Sequence, residues 1–233
     1  MSEHKTAVVT GAGKGIGKAI ATGLAQLDYQ TILVGRNKQN LEQVAQEIGS
    51  NAKVLQLDIT DKFAVKEAIA KIVAENGSID ILVNNAGIHF RGSVDIEEDD
   101  FEKMLDINLV AQYGVLKEVV PVMKAQKSGY IFNVASRSGK VGFAGGGAYS
   151  ASKFGLVGLS ESLYRELNPL GIKVTALCPG WVNTEMAFDA GTPLESEEMI
   201  EPNDLFKTIE WLLQLSPGAC VKEVILESPN SIS

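Results

Sequence analysis

The sequence predicts an α/β protein in three layers: a doubly wound sheet of seven parallel strands with helices on both faces. Three observations carry that expectation. Seven short runs dominated by Val, Ile and Leu recur along the chain, each too short for a helix. Longer stretches with apolar residues at three- and four-residue spacing separate them. No Pro/Ser-rich linker, charge block or internal repeat interrupts the alternation, so residues 1–233 read as one domain.

Strands are expected at 6–10, 31–35, 53–57, 80–84, 130–135, 172–178 and 223–226, near-continuously apolar as strands buried on both faces are. Helices are expected at 16–27, 38–48, 62–76, 97–127 and 148–168; in the second, Leu41, Val44, Ala45 and Ile48 mark one buried stripe. Parallel strands need crossovers, and crossovers are right-handed, so the helices must cover both faces of one sheet. One segment breaks the rhythm. Residues 184–204 carry Glu185, Asp189, Glu195, Glu197, Glu198, Glu201 and Asp204 with no Lys or Arg, which reads as a short acidic flap, either a lid over a substrate or a solvated loop.

The 233 residues are 45% hydrophobic and 21% charged, the make-up of an ordinary folded protein. A net charge of −8 argues against nucleic acid and anionic membranes as partners. Cys178 and Cys220 stand apart, in no C-x-x-C pair and no His-rich setting, so neither a disulfide scaffold nor a metal site is expected. No apolar run approaches the ~18 residues of a membrane span. Strand-like sequence begins by Thr6, which leaves no room for a signal peptide, and a cytoplasmic location is expected.

The motifs fall at the strand ends. After the first strand comes Thr10-Gly11-Ala12-Gly13-Lys14-Gly15-Ile16-Gly17, a glycine-rich strand-to-helix turn whose helix N-terminus suits a pyrophosphate. A P-loop ending at Lys18 would need Gly at Ala12 and Ser or Thr at Ala19. The G-x-G-x-x-G fingerprint is also absent, the glycines being spaced as Gly11, Gly15 and Gly17. The second strand ends Val34-Gly35-Arg36, without the acid that would bond an NAD ribose. Arg36 and Lys14 are either a clamp for a 2′-phosphate, favouring NADP(H) over NAD(H), or solvated surface cations. Asp58-Ile59, Asn84-Asn85-Ala86-Gly87, Ser136 and Pro179-Gly180 gather at the same rim of the sheet. Taken singly, Asp58 also reads as a helix cap, Asn84 as a turn residue and Gly87 as a left-handed position. Tyr149 and Lys153, one helical turn apart, are either a phenol with an ammonium that stabilises its phenolate or a packing residue beside a surface charge.

These residues resemble the short-chain dehydrogenase/reductase family over nearly the whole chain, on its 3-oxoacyl reductase-like branch. Thr10–Gly17 matches T-G-x-x-x-G-x-G, Asn84–Gly87 matches N-N-A-G, Tyr149–Lys153 matches Y-x-x-x-K, and Ser136 stands 13 residues before Tyr149 as the family's serine does. The resemblance implies a Rossmann fold and NADPH-dependent reduction of a ketone to an alcohol. It implies Tyr149 as proton donor, Ser136 as donor to the carbonyl oxygen, Lys153 as ribose ligand and phenol pKa depressor, and Asn108 as the residue that brings a water into the relay. Asp58 and Ile59 would border adenine, Asn84, Ala86 and Gly87 would line the cofactor channel, Pro179 and Gly180 would receive the nicotinamide, and Val182 and Thr184 would hold carboxamide and phosphates. Ser138 is the rival to Ser136. Trp181 and Phe188 are pocket candidates or ordinary packing, and His89 faces either substrate or solvent; His4 is left without a role.

The expected substrate is a small ketone or a 3-oxoacyl-like compound. Reduction of 3-oxoacyl groups on acyl carrier protein is the alternative, and a non-catalytic NADPH sensor is the alternative of another class. Carrier-dependent members tend to have basic docking residues where this chain has Tyr130 and Leu170, and an acidic carrier fits poorly beside an acidic flap. The long 97–127 stretch and the Tyr149 helix resemble the paired helices through which family members form homodimers and homotetramers.

Overall fold

The computed structural model describes residues 5–231; His4 lies outside them. Its strands are β1 (Thr6–Thr10), β2 (Gln30–Gly35), β3 (Ala52–Gln56), β4 (Ile81–Asn84), β5 (Gly129–Val134), β6 (Ile172–Pro179) and β7 (Glu223–Leu226). All pair in parallel in the order β3-β2-β1-β4-β5-β6-β7. Every strand expected from the apolar runs is present. The helices are α1 (Gly15–Gln26), α2 (Lys38–Ile48), α3 (Lys62–Asn76), α4 (Glu98–Leu105), α5 (Ala111–Gln126), α6 (Gly147–Leu167), α7 (Glu185–Asp189) and α8 (Pro202–Gln214).

Strand register sorts the side chains into two cores, because neighbouring residues point to opposite faces. Val8 pairs with Ile32 and Leu82, and Leu82 with Ile131, so one row faces the apolar stripes of α3, α5 and α6. Val9, Leu33, Val83 and Phe132 form the opposite row against α1, α2 and α8. Each such fully buried side chain contributes about 1.5–3 kcal/mol. The order in which strands are added reverses between β1 and β4, and a crevice opens at the carboxyl ends of the strands there.

Two elements differ from expectation. The 97–127 stretch is helical throughout, but Asp106–Val110 forms a π-helical turn between α4 and α5. The turn carries Asn108, whose buried side chain is fully engaged elsewhere, and one-turn π segments of this kind often serve a site. The acidic flap is largely helical, and part of it belongs to another element. Glu195 and Glu198 form a capping box on the 3-10 turn Ser196–Glu198, and Glu201 and Asp204 form another on α8. These four carboxylates satisfy backbone N–H groups at helix starts, which accounts for much of the acidity.

Helix α8 went unread because its first turn lies inside that acidic run. Its own signals are a proline at the first helical position and apolar Leu205, Phe206, Ile209 and Leu212, all buried against α1. The contact is close: a Cβ on Gly23 of α1 would lie 2.3 Å from the Phe206 ring.

Candidate active site

The crevice encloses about 930 Å³ and runs from the glycine turn across the sheet edge to α6 and the flap. At one end Gly11 and Gly15 take positive φ values of 66° and 53°, turning β1 into α1. A Cβ on Gly17 would sit 2.2 Å from the Gly11 carbonyl oxygen, so the helix can approach the turn only with glycine there. No side chain caps the first N–H groups of α1. They face the crevice with the helix dipole behind them, a fit for a phosphate. Thr184 packs on this turn, its methyl 3.2 Å from where a Gly15 Cβ would stand.

Neighbouring strand ends are tied together by Thr10 and Asn85. The Thr10 hydroxyl accepts from the Asn85 and Ala86 backbone amides at 2.9 and 3.0 Å, while the Asn85 side-chain Nδ2 donates to the Thr10 carbonyl at 2.9 Å. Where the crevice meets the end of β2, Arg36 lines it and its guanidinium has no protein partner among the described residues. Lys14 instead crosses the crevice mouth to Glu185 of α7 at 2.5 Å. Asp58 accepts from the Thr60 amide and hydroxyl in a tight local turn; Asp61, not Asp58, caps α3. Ile16, Ile59, Ala86, Gly87, Pro179, Gly180, Trp181 and Val182 all border the crevice.

At the other end Ser136, Tyr149 and Lys153 converge. Tyr149 and Lys153 sit on one face of α6, the Lys153 ammonium 5.7 Å from the centre of the phenol ring. Lys153 is buried and donates to the Val134 carbonyl at 3.0 Å. Burial pushes its pKa down to about 8. Burial also pushes the Tyr149 phenol up to about 12, and the hydrogen bond with Ser136 lowers it only in part. The expectation of a depressed phenol is therefore reversed for the protein groups by themselves, because loss of solvation outweighs the hydrogen bond. Ser136, buried just after β5, accepts from the Ser138 amide at 3.1 Å and donates to the Pro179 carbonyl at 3.5 Å, and it is Ser136 rather than Ser138 that moderates the rise in the Tyr149 pKa.

Three expected site residues do not line the crevice. Asn84 is fully buried below it, donating to the Gln112 carbonyl at 3.1 Å beside Asn133. Gly17 is covered by Gly11 and Asn85. Asn108 is also fully buried: it accepts from the Ile88 amide at 2.8 Å and donates to the Ile88 carbonyl at 2.9 Å and the Ser152 hydroxyl at 3.1 Å. The Asn84 and Asn108 side chains hold the crevice floor from behind. Gly87 is not left-handed; its backbone passes so close that a Cβ would be 3.2 Å from the Asn108 amide oxygen and 3.6 Å from the Lys153 ammonium.

Several lining residues were not expected, among them Asn40, Leu57, Ile88, Asn183 and Met186. Ile88 and Asn183 had a local signal, Ile88 directly after the N-N-A-G turn and Asn183 between the expected Val182 and Thr184. His89, left open between substrate and solvent, lies in the crevice wall with its ring edge-on to Tyr149, centroids 4.9 Å apart at 68°. Trp181 lines the crevice as well, and Phe188 is half exposed on α7. Tyr130 is core: it is buried, stacks on Phe132 and shares a hydrogen bond with Thr175 at 3.1 Å.

A doubly wound parallel sheet with a glycine turn at the switch point is the architecture of the Rossmann class. Residues 5–193 match the short chain dehydrogenase family. An uncharacterized oxidoreductase of Staphylococcus epidermidis is 34% identical over 225 residues, covering 96% of this chain and 97% of the relative. Among solved structures, a β-ketoacyl-[ACP] reductase from Bacteroides thetaiotaomicron is 51% identical, with a TM-score of 0.87 over 98% of this chain and 99% of that one. An alcohol dehydrogenase from Thermococcus sibiricus complexed with 5-hydroxy-NADP is 28% identical, with a TM-score of 0.88 over 97% of each chain. The chain belongs to the short-chain dehydrogenase family and is an oxidoreductase.

Proposed function

We propose that the protein is an NADPH-dependent reductase of a single dinucleotide-binding domain, converting the carbonyl of a small ketone or 3-oxoacyl-like compound to an alcohol. The observation that carries this reading is the convergence of Ser136, Tyr149 and Lys153 at one end of a crevice whose other end suits a phosphate. Gly11, Lys14, Gly15, Ile16, Arg36, Asp58, Ile59, Ala86 and Gly87 would hold the adenosine and phosphate half of NADP(H). Pro179, Gly180, Val182 and Thr184 would hold the nicotinamide half, with Tyr149 and Lys153 on the ribose. Bound there, NADPH supplies a hydride.

The chain's own residues supply position and a proton. The Ser136 and Tyr149 hydroxyls donate to the carbonyl oxygen and bear the charge that develops on it. A phenol with a pKa near 12 is fully protonated at neutral pH, which suits the donor in reduction. A charged Lys153 then stabilises the phenolate left behind. Asn108 acts at one remove, holding Ile88 and the π turn against the crevice floor.

Reduction of a 3-oxoacyl group held on acyl carrier protein is the second reading. It is favoured by the 51% identity to the Bacteroides β-ketoacyl-[ACP] reductase. NADPH consumption with a 3-oxoacyl thioester, with the same acyl group on acyl carrier protein, and with simple ketones separates the two, with Tyr149→Phe as the blank. A rate confined to the carrier-bound substrate favours the second reading. Equal rates for wild type and Tyr149→Phe would overturn the mechanism.

A further inference from the structure

We propose that His89 is a substrate-binding residue that selects carbonyl compounds bearing a second, uncharged oxygen one or two carbons from the reacting carbonyl, as in 2-hydroxy ketones and 3-oxo esters. The inference rests on the reductase reading of Tyr149.

Its first support is placement. His89 follows β4 in the loop that borders the crevice, and its ring stands edge-on to the Tyr149 ring with centroids 4.9 Å apart. A carbonyl oxygen bonded to the phenol therefore has the imidazole beside its own carbon chain. The second support is an unanswered hydrogen-bonding capacity. Neither ring nitrogen has a hydrogen-bond partner in the protein among the described residues, although the ring is partly buried. A partly desolvated imidazole offers one donor and one acceptor to whatever enters the crevice. Burial, with Arg91 nearby, holds its pKa below the ordinary value, so at neutral pH it offers both without a charge.

The third support is what surrounds it. Ile88, Val141, Phe143, Trp181 and Met186 make this wall apolar. Of the charged side chains that line this end, Arg137 forms an ion pair with Glu227 and donates to the Ser231 carbonyl at 2.9 Å, Glu185 is held by Lys14, and Lys153 is committed to the Val134 carbonyl; Arg91, beside His89, does not line the crevice. A charged substrate would find no uncommitted charged partner in the lining here. An uncharged molecule with an apolar body and two oxygens would find three polar groups: two hydroxyls for the first oxygen and the imidazole for the second. Discrimination follows, because a ketone lacking the second oxygen leaves the imidazole unpaired in the closed complex.

The test compares ethyl 3-oxobutanoate with 2-hexanone, ketones of similar size, by NADPH consumption in wild type, His89→Phe, His89→Leu and His89→Gln. The readout is the ratio of kcat/KM for the two ketones, in which any disturbance of Tyr149 common to both cancels. His89→Phe keeps the edge-on ring contact and removes both nitrogens; His89→Leu guards against a misfolded Phe variant. The expected result is a wild-type preference for the oxo ester that falls about tenfold in Phe and Leu, through KM more than kcat, and is largely kept by Gln. An unchanged ratio in the nitrogen-free variants would overturn the proposal. A wild type that consumes NADPH with neither these ketones nor any 3-oxoacyl thioester would overturn the reductase reading, and this inference with it.

Discussion

Tyr149 and Lys153 show what burial does to an acid–base pair. Desolvation drives the two pKa values toward the neutral form of each group, up to about 12 for the phenol and down to about 8 for the ammonium. Reduction needs a protonated phenol and a charged lysine, so kcat for reduction is expected to hold through neutral pH and fall as pH rises past about 8. A pH–rate profile in which that fall persists in Lys153→Met would exclude Lys153 as its source. Stability responds in the opposite sense. Between about 8 and the ordinary 10.5 the unfolded chain keeps the Lys153 proton while the folded one releases it, so the cost of the buried ammonium is relieved and stability climbs with pH. Melting temperature relative to Lys153→Met is expected to rise across that window. At the other end of the crevice, the Arg36 guanidinium, without a protein partner among the described residues, would clamp a 2′-phosphate in the proposed NADPH complex. Replacing it with Asp should reduce the NADPH-over-NADH preference about 10- to 100-fold, read as the ratio of the two Kd values. An unchanged ratio would assign the preference elsewhere.

Elements bring these residues together through close approaches. Gly23 of α1 lies under Phe206 of α8, and a Cβ at 2.3 Å from the ring cannot be accommodated in place. Alanine would improve helix propensity by about 1 kcal/mol. Overpacking costs about 1–3 kcal/mol, so the net effect of Gly23→Ala should be destabilising. Urea unfolding checks it, and Phe206→Leu in the same background should recover part of the loss. The flap is held in a comparable way: Val182 bridges Ile200, and Asn183 donates to Glu201 at 3.0 Å, so the segment after the P-G turn is pinned to the start of α8. Its acidic residues were legible as a run. Their division between helix caps, an ion pair with Lys14 and solvent was not, since capping depends on which backbone N–H groups the chain presents.

At the scale of the whole molecule, no helix among the described residues is long and apolar enough to cross a membrane. Val110, Tyr113 and Phe154 are large apolar side chains left exposed on the helices beside the crevice, and a homo-oligomer built through that face is the expected assembly. Light scattering should give a mass above the 24.9 kDa of one chain, reduced to one chain by Tyr113→Glu with Phe154→Glu. The sequence by itself determined the seven strands and that they run parallel, because buried parallel strands must be apolar on both faces and joined by crossover helices; their order came from the structure. It also determined the glycine turn and the Tyr149–Lys153 pair, since one-turn spacing on a helix leaves their relative placement little freedom; Ser136 joined them only through the family resemblance. Only the tertiary structure decided that Asn84, Gly17 and Asn108 lie behind the crevice, that Lys14 reaches Glu185, and that His89 meets Tyr149. Each of those facts depends on contacts between residues distant in the chain. Local spacing carries no record of which face of a loop or strand end looks inward once the sheet has closed around it.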